Sequence, residues 1–359
     1  MKKIIFFSYD MNIGGMEKAL VLLLNRLVEE YDVSLVLESK KGDLLTQLDQ
    51  RIHTSEYKVS NCRFVPFRKV VNYLHRFLWC RRYRERYDFS CSYATYSVIG
   101  SRLAQAASKN SALYVHSNYY EYYKGDLKEI NSFFELLRIG NFKNILFVSN
   151  ESKDKLKNLF SEIEERGTVI SNLVDYKQIK KLSEEKVKDL VKDKTTFLFV
   201  GRLEEQSKRL SRLLKAFEIA YSRDENIQLW IVGDGKDYLL CENLIQEYNL
   251  QDAVKLLGKK VNPYPYMKMA DCMILTSDFE GYPVIYNECM VFQKPIITTI
   301  PVSDQYIDTR DYAVLVEKDS NKIAEELLKF KGNIPCKRID FGEMNNKRIN
   351  DLKEIMNGK

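Results

Sequence analysis

The sequence predicts an α/β protein built from two doubly wound parallel sheets. Short apolar runs alternate with amphipathic helical stretches along the chain, and this order is typical of right-handed βαβ units. The alternation lapses over residues 176–194, which are crowded with lysines and acids and contain no strand pattern. A length of 359 residues also corresponds to about two domains.

The first domain is predicted over residues 1–175. Its predicted strands are Lys3–Ser8, Val33–Glu38, Phe89–Tyr93, Ala112–Val115, Ile145–Ser149 and Thr168–Ile170. Helical stretches such as Met16–Glu30 and Val98–Ser108 separate these strands, so we expect a parallel sheet.

The alternation resumes at Thr195. The later predicted strands are Phe197–Val200, Ile227–Val232, Ala253–Leu257, Cys272–Thr276, Pro295–Thr298 and Ala313–Val316. We therefore predict a second domain over 195–335, joined to the first by a linker over 176–194. Residues 336–359 are predicted to form a helical tail that packs back on the first domain. Both domains should be Rossmann-like, with their sheets facing across a cleft that binds ligands at the carboxyl ends of the strands.

The composition excludes several classes of protein. With 45% apolar and 30% charged residues, the chain resembles an ordinary globular protein rather than a disordered or fibrous one. Its best apolar run, Ala19–Leu24, is far shorter than the ~18 residues of a membrane span. The start of the chain lacks the apolar core of a signal peptide, and the seven cysteines lack metal-ligand spacing. We therefore expect a cytoplasmic protein with reduced cysteines.

Positive charge is concentrated between Arg68 and Arg86. The segment contains Arg68, Lys69, Arg76, Arg81, Arg82, Arg84 and Arg86, against the single acid Glu85. Aromatic residues, among them Phe67, Phe77, Trp79 and Tyr83, are interleaved with these bases. The pattern fits an anionic membrane surface, and it fits equally a surface helix that packs its apolar side on a domain core. The net charge of +6 does not by itself indicate a nucleic-acid partner.

Two glycine-containing clusters follow predicted strands. The first, Asn12–Glu17, contains the pair Gly14-Gly15, which lets a backbone approach a phosphate or a sugar closely at the start of a helix. The second contains Arg202 and, six residues later, Lys208. A bidentate guanidinium and an ammonium point charge at these positions suit a diphosphate. The alternatives are a tight turn for the first cluster and two solvated bases for the second.

Two further clusters carry polar groups that suit a sugar. In Asp278–Glu288, Pro283 is placed to open a helix, whose first backbone amides would bind an anion. Glu280 and Glu288 would accept hydrogen bonds from sugar or ribose hydroxyls; the alternative is two solvated acids. His116 ends a strand of the first domain, where it is either a site residue or a structural histidine.

Metal-assisted chemistry has no visible ligands in the sequence. It contains no Asp-x-Asp pair, no histidine-rich ligand set and no Walker lysine motif. We therefore predict that the site holds no metal.

These four clusters, in this order, resemble the retaining glycosyltransferases of the GT-B fold, family GT4. The matching motifs are Gly14-Gly15-x-Glu17, Gly201-Arg202-Leu203 with Lys208, and Glu280-Gly281-Tyr282-Pro283 ending on Glu288, the E-x7-E signature. Leu257-Gly258 and Asn262–Tyr266 look like the branch that builds bacterial capsule and exopolysaccharide. The match is dense from about 167 to 300 and thin elsewhere in the first half of the chain.

The resemblance implies transfer of a hexose from a nucleotide sugar, with UDP as the expected nucleotide, to a lipid-linked sugar acceptor bound by the first domain. No cofactor beyond the donor itself is implied, and no nucleic acid. The enzyme would be cytoplasmic, or peripheral on the inner face of the plasma membrane.

The resemblance also assigns roles to single residues. Arg202 and Lys208 would stabilise the leaving diphosphate, and Glu288 would bind the ribose. Glu280, with the backbone from Tyr282 through Pro283 to Val284, would hold the donor sugar and the distal phosphate. Gly15 would lie at the diphosphate, Gly201 would contribute to binding of the donor, Gly258 would lie near the base, and His116 at the sugar. The chain departs from the family where Arg209 stands in place of glycine and where Cys289–Pro295 replaces Ala-x-x-x-Gly-x-Pro.

Two rival functions are compatible with the same fold. A UDP-sugar 2-epimerase would need acid and base carboxylates in the first domain, for which Asp10 and Glu17 are the candidates. A non-catalytic partner subunit would keep the fold without the site, which is hard to reconcile with retention of Arg202, Lys208 and both glutamates.

Overall fold

The computed structural model describes residues 1–358 except 61, 188–189, 331 and 333–337. The chain divides into one unit formed by Met1–Leu173 with Asn345–Lys359 and a second formed by Val174–Met344. The first division therefore falls two residues before the boundary predicted at 175. The boundary predicted at 335, together with Cys336, lies outside the described residues.

The first unit alternates strands and helices. Its elements are β1 (Lys3–Ser8), α1 (Gly15–Leu27), β2 (Asp32–Leu37), β3 (His53–Glu56), α2 (Val65–Tyr83), β4 (Phe89–Ser92), α3 (Val98–Ala107), β5 (Ser111–Val115), α4 (Tyr119–Tyr122), α5 (Leu127–Leu137), β6 (Asn144–Phe147), α6 (Asn150–Lys157), α7 (Ser161–Arg166) and β7 (Gly167–Val169). The strands form one sheet in the order β3-β2-β1-β4-β5-β6-β7, and every pairing is parallel. The predicted α/β class and parallel sheet are thus confirmed for this unit.

Strand β3 is absent from the sequence prediction. It is an edge strand, and three of its four residues, His53, Ser55 and Glu56, are exposed. Since an exposed edge strand needs no apolar run, nothing in its composition distinguishes it from a loop.

The second unit repeats the architecture. Its elements are α8 (Tyr176–Leu182), β8 (Thr195–Val200), α9 (Glu205–Lys208), α10 (Leu210–Tyr221), β9 (Ile227–Val232), α11 (Tyr238–Glu247), β10 (Val254–Leu256), α12 (Tyr264–Met269), β11 (Cys272–Leu275), α13 (Val284–Val291), β12 (Ile296–Thr298), β13 (Ala313–Leu315) and α14 (Ser320–Lys329). The strand order is β10-β9-β8-β11-β12-β13, again all parallel. Helix α8, which lies in the predicted linker, belongs to this unit.

The strand orders determine which loops are neighbours. In the second sheet β8 lies between β9 and β11. The chain goes from β8 to β9 on one side, and from β11 to β12 on the other. A crevice forms at such a switch point, outside the carboxyl ends of the strands. The loops after β8 and β11 therefore border one crevice, and in the first sheet β1 and β4 stand in the same relation.

The last helix, α15 (Phe341–Met356), contributes its residues from Asn345 onward to the first unit. Arg348 is fully buried and donates from Nη1 to the carbonyl oxygen of Asn172 at 2.6 Å. Lys353 pairs with Glu30 at 2.6 Å. A buried charge needs such partners to be tolerated, so the contact with Asn172 fixes one point at which this helix packs.

Candidate active site

The loops after β8 and β11 bring Lys208 and Glu280 together, although 72 positions separate them. The ammonium of Lys208 pairs with Oε1 of Glu280, and the two side chains are only 17% and 14% exposed. Ser277 donates to the same carboxylate oxygen at 2.8 Å. A half-enclosed, hydrogen-bonded pair of this kind has well-defined positions for both charges.

Lys208 is held by a sharp break between two helices. It is the last residue of α9, and Arg209 then adopts a left-handed backbone with φ 53° and ψ 57°. Left-handed backbone costs a non-glycine residue about 1–2 kcal/mol. The Arg209 side chain offsets this cost, because its Nε donates to Asp278 on the neighbouring loop.

Asp278 joins the two loops. Its carboxylate also accepts from Nη2 of Arg212 at 2.8 Å, and its backbone amide donates to the carbonyl oxygen of Ser207 at 2.8 Å. Burial raises the pKa of the Asp278 carboxyl, but the hydrogen bonds from Arg212 and Arg209 outweigh burial and bring the pKa below its ordinary value. The carboxylate is therefore charged at neutral pH and binds both guanidinium groups.

Arg202 differs from Lys208 because it is exposed. No carboxylate among the described residues pairs with it. Its loop is fixed by the backbone of its neighbours, since the amide of Leu203 donates to the carbonyl oxygen of Asp234 at 3.0 Å. Arg202 thus presents an uncompensated guanidinium at the carboxyl end of β8.

Glycines allow the loops after β8, β9 and β10 to lie against one another. The amide of Gly201 donates to Val232 and that of Gly233 donates to Gly258, both at 3.0 Å. A Cβ on Gly233 would lie 1.9 Å from the carbonyl oxygen of Gly201, so no other residue fits there. Gly258 has φ +68°, with no heavy atom within 4 Å of a Cβ placed on it; this conformation favours glycine.

Helix α13 carries the second predicted glutamate. Pro283 caps the helix, whose first residue is Val284, and the first amides of any helix lack partners within it. Glu288 lies in the middle of the helix, is buried, and accepts from the Tyr264 hydroxyl at 3.0 Å. Burial and the Glu288 charge raise the Tyr264 pKa, so the hydroxyl stays protonated and donates to Glu288. Tyr282 is buried and donates to Oδ1 of Asn287 at 3.1 Å.

In the first unit, Gly15 is the first residue of α1 and is exposed. It directly follows the loop after β1, at the switch point of that sheet. The preceding glycine is constrained by its neighbour, since a Cβ on Gly14 would lie 2.2 Å from Oε2 of Glu17.

His116 follows β5 and is enclosed by aromatic rings. Its ring centroid lies 4.3 Å from that of Tyr93 and 4.5 Å from that of Tyr114. Its Nε2 is buried and has no hydrogen-bond partner among the described residues. Burial lowers the pKa of the imidazole to about 3. His116 is therefore neutral at physiological pH, and its buried nitrogen still has the capacity for one hydrogen bond.

Three residues that contribute to the site were not predicted from the sequence: Ser277, Arg212 and Tyr264. Ser277 directly follows the strand that precedes Glu280, and Arg212 lies four residues after Lys208, so both positions carried a usable signal. Tyr264 carried none, because its contact with Glu288 spans 24 residues and exists only in the folded unit.

Two features are absent from the part of the chain that the structure describes. No three His, Cys, Asp or Glu side chains of the described residues cluster as metal ligands. Within the same residues, no helix combines the length and hydropathy needed to cross a membrane.

Both halves of the chain match glycosyltransferase families. Residues 13–178 match the family described as Glycosyltransferase Family 4, and residues 180–343 match Glycosyl transferases group 1. The chain is a group 1, GT4-like glycosyltransferase. Its fold agrees, because the crystal structure of the Anabaena protein HepE with UDP and glucose superposes with a TM-score of 0.73 over 98% of this chain and 100% of HepE. At 15% identity that likeness shows the GT-B fold alone.

Curated relatives of this glycosyltransferase occur in archaea and bacteria. An uncharacterized glycosyltransferase of Methanocaldococcus jannaschii is 28% identical over 52% of this chain, and the match spans about half of that relative (47%). A Campylobacter jejuni enzyme named as an N-acetylgalactosaminyltransferase acting on a diacetylbacillosaminyl-diphospho-undecaprenol acceptor is 24% identical over 89% of this chain and 87% of its own length. The capsular polysaccharide glycosyltransferase CapH of Staphylococcus aureus is 27% identical over 48% and 50% of the two chains.

Proposed function

We propose that this glycosyltransferase moves a hexose, with retention, from a UDP-sugar to a lipid-linked sugar acceptor in capsular or exopolysaccharide biosynthesis. The observation that carries the proposal is the Lys208–Glu280 pair at the switch point of the second sheet. The exposed Arg202 and the start of α13 border the same crevice. Two cations and a set of helix amides suit a diphosphate, and a carboxylate beside them suits the sugar attached to it.

Negative charge develops on the diphosphate as the glycosyl–phosphate bond breaks. Arg202 and Lys208 would stabilise that charge together with the first amides of α13. Glu280 holds the ammonium of Lys208 in position. The remaining lone pairs of the Glu280 carboxylate would accept hydrogen bonds from hydroxyl groups of the donor sugar. On this proposal the protein's own cations replace a metal ion, so turnover does not depend on a divalent cation.

Glu288 would bind the ribose. Its carboxylate already accepts from the Tyr264 hydroxyl, which orients it, and the same carboxylate would accept a hydrogen bond from a ribose hydroxyl. Gly201 and Gly258 would allow the nucleotide to approach the backbone closely.

The family resemblance also assigns two residues of the first unit, Gly15 and His116, to the donor. Gly15 would lie against the diphosphate at the start of α1. The neutral imidazole of His116 would form a hydrogen bond with a sugar hydroxyl through Nε2, for which the described residues provide no partner.

In the step itself, the acceptor hydroxyl oxygen forms a bond to the anomeric carbon on the face from which the diphosphate leaves. The bond from that carbon to the phosphate oxygen breaks, and the departing phosphate takes the hydroxyl proton. This front-face route follows from the resemblance to the family. On this proposal the chain's own residues stabilise the leaving group, and both glutamates serve in binding, each oriented by a hydrogen bond from a neighbouring hydroxyl.

The acceptor class is supported by the names of two relatives, the Campylobacter enzyme with its undecaprenol-linked acceptor and the Staphylococcus capsular enzyme. UDP and a hexose are supported by the HepE complex. An acceptor on a polyprenyl diphosphate lies in a membrane, so we also propose that the basic segment Arg68–Arg86 brings the enzyme to the anionic inner face of the plasma membrane.

The test is a two-stage assay. UDP, GDP and a panel of their sugars are first screened for thermal stabilisation of the protein. The stabilising sugars are then incubated with a polyprenyl-diphosphate-linked acceptor, with and without EDTA. We expect UDP-sugars to stabilise the protein and sugar to reach the lipid in EDTA. Epimerised UDP-sugar in the absence of acceptor would identify the rival 2-epimerase, and strict dependence on Mg²⁺ or Mn²⁺ would contradict the proposed role of the two cations.

A further inference from the structure

Helix α2 has an unusual relation to its own unit. It is 19 residues long and has no fully buried side chain. Five of its apolar residues, Phe67, Val70, Leu74, Phe77 and Leu78, are each 50–60% exposed. Globular proteins seldom leave such a group of large apolar side chains uncovered unless the surface binds something.

The apolar residues lie on the side of α2 that faces away from the sheet. The helix contacts its unit through Trp79, whose ring lies 5.6 Å from that of Phe7, and through His75, which stacks on Tyr57 at 5.2 Å. At about 100° per residue, the half-buried positions 72, 76, 79 and 83 share this inner side. The five exposed apolar residues fall on the opposite side. A surface helix that packs its apolar side on the core would show the reverse arrangement.

The first half of α2 extends past the sheet. Tyr57, on which His75 stacks, directly follows β3 and donates its amide to Leu37, the last residue of β2. The turns of α2 before His75 therefore lie beyond the carboxyl ends of these strands. That edge of the sheet is also the one at which Gly15 and His116 are found.

The charge around the apolar residues has a single sign. No acid occurs between residues 57 and 84, whereas Arg68, Lys69, Arg76, Arg81 and Arg82 belong to the helix and Arg84 follows it. This charge complements anionic headgroups and opposes pairing with a second copy of the same surface, which would bring like charges together.

We propose that α2 inserts its outward apolar face, Phe67 to Leu78, into the headgroup and upper acyl region of an anionic membrane, with the flanking bases at the lipid phosphates. This extends the membrane association that forms part of the proposed function. Amphipathic helices of this kind lie in the plane of the interface, with the apolar face about 5–10 Å deep. Salt weakens binding that depends on charge alone. Insertion also buries apolar side chains in the membrane, and this part of the binding persists in salt.

Insertion is tested with vesicles of phosphatidylglycerol and phosphatidylcholine. At ~1 M NaCl the screening length is about 3 Å, so purely electrostatic binding is lost, and we expect the wild-type protein to stay bound in part. The variant Phe67→Ser/Leu74→Ser/Phe77→Ser should lose this residual binding by at least ~10²-fold, given about tenfold per apolar side chain. A matched control, Leu127→Ser/Leu136→Ser/Leu239→Ser, removes three exposed leucines elsewhere and should bind as wild type.

The depth of insertion is measured separately on single substitutions. The added fluorescence of the Phe77→Trp variant should be quenched by brominated lipids. The added fluorescence of the Leu239→Trp variant, whose substitution lies in the second unit, should not be quenched. Complete release of the wild-type protein by ~1 M NaCl together with an unquenched Phe77→Trp would overturn insertion and leave adsorption by charge alone. The wild-type protein could instead fail to bind vesicles and form a dimer that the triple serine variant does not form. That result would also overturn insertion and would identify α2 as a self-association surface. UDP binding is measured on every variant. A failure of the proposed donor site can therefore be distinguished from a failure of membrane insertion.

Discussion

Asp278 provides the sharpest test of how the site is assembled. Its carboxylate accepts hydrogen bonds from Arg209 and Arg212, and so it ties the loop of Lys208 to the loop of Glu280. Asp278→Asn keeps the shape and one acceptor oxygen but removes the charge. We expect the second unit to lose stability and the Lys208–Glu280 pair to lose its fixed position.

The size of the effect follows from the two contacts. A hydrogen bond to a charged group contributes ~1.5–3 kcal/mol when it is sheltered. The Arg212 side chain is 15% exposed and that of Arg209 is 43% exposed, so the Arg212 contact should dominate. We expect a loss of about 2–3 kcal/mol, which for a domain of this size lowers Tm by about 5–10 °C. Turnover should fall by about tenfold or more, because small displacements of reacting groups are costly.

The assay combines thermal unfolding with steady-state transfer from a UDP-sugar. Asp252→Asn, an exposed aspartate in the same unit, is the matched control and should change neither quantity. Because the folded pKa of Asp278 lies below its ordinary value of 3.8, its contribution is present above that value and is lost as pH falls through the folded pKa. The Tm difference between wild type and variant should therefore be full above about pH 4 and shrink below it. Equal Tm and kcat for the wild type and Asp278→Asn at neutral pH would refute the reasoning.

Three further predictions concern the proposed donor site. Replacing Arg202 or Lys208 by Ala should lower kcat by ~10²-fold or more, with activity that survives EDTA; a variant as active as wild type would remove that cation from the mechanism. Glu288→Gln should weaken UDP binding in calorimetry, whereas Glu280→Gln should mainly reduce turnover while UDP still binds, and equal losses of UDP affinity in both would contradict this division. Burial holds the pKa of His116 at about 3, below the ordinary 6.5, so its contribution to stability should be full above about pH 6.5 and decline as pH falls towards 3. Between pH 5 and 9, His116→Gln should therefore leave the shape of the pH–rate profile unchanged, and loss of a titration in that range would show that His116 is protonated during turnover.

The amino-acid sequence alone determined the two parallel sheets and the position of most strands. Strands such as Lys3–Ser8 and Ile227–Val232 are buried in parallel sheets, so their apolar runs are short, continuous and visible without any tertiary information. The same reasoning fails for His53–Glu56, an exposed edge strand whose residues have no need to be apolar. Arg202 and Glu280 could be proposed as donor residues from the sequence, because each lies in a loop after a predicted strand, at the end where such sheets bind ligands; that role stays a prediction.

Only the tertiary structure decided which of these residues touch. Lys208 contacts Glu280 because the order of strands places β8 beside β11. No local pattern in the amino-acid sequence predicts the order of strands in a sheet. The left-handed backbone at Arg209 is stabilised by Asp278 from another loop, so local propensity alone would have argued against it. Helix α2 shows the same limit most plainly. Its amphipathic sequence is compatible with either side facing inward, and the packing of Trp79 and His75 turns the apolar side outward.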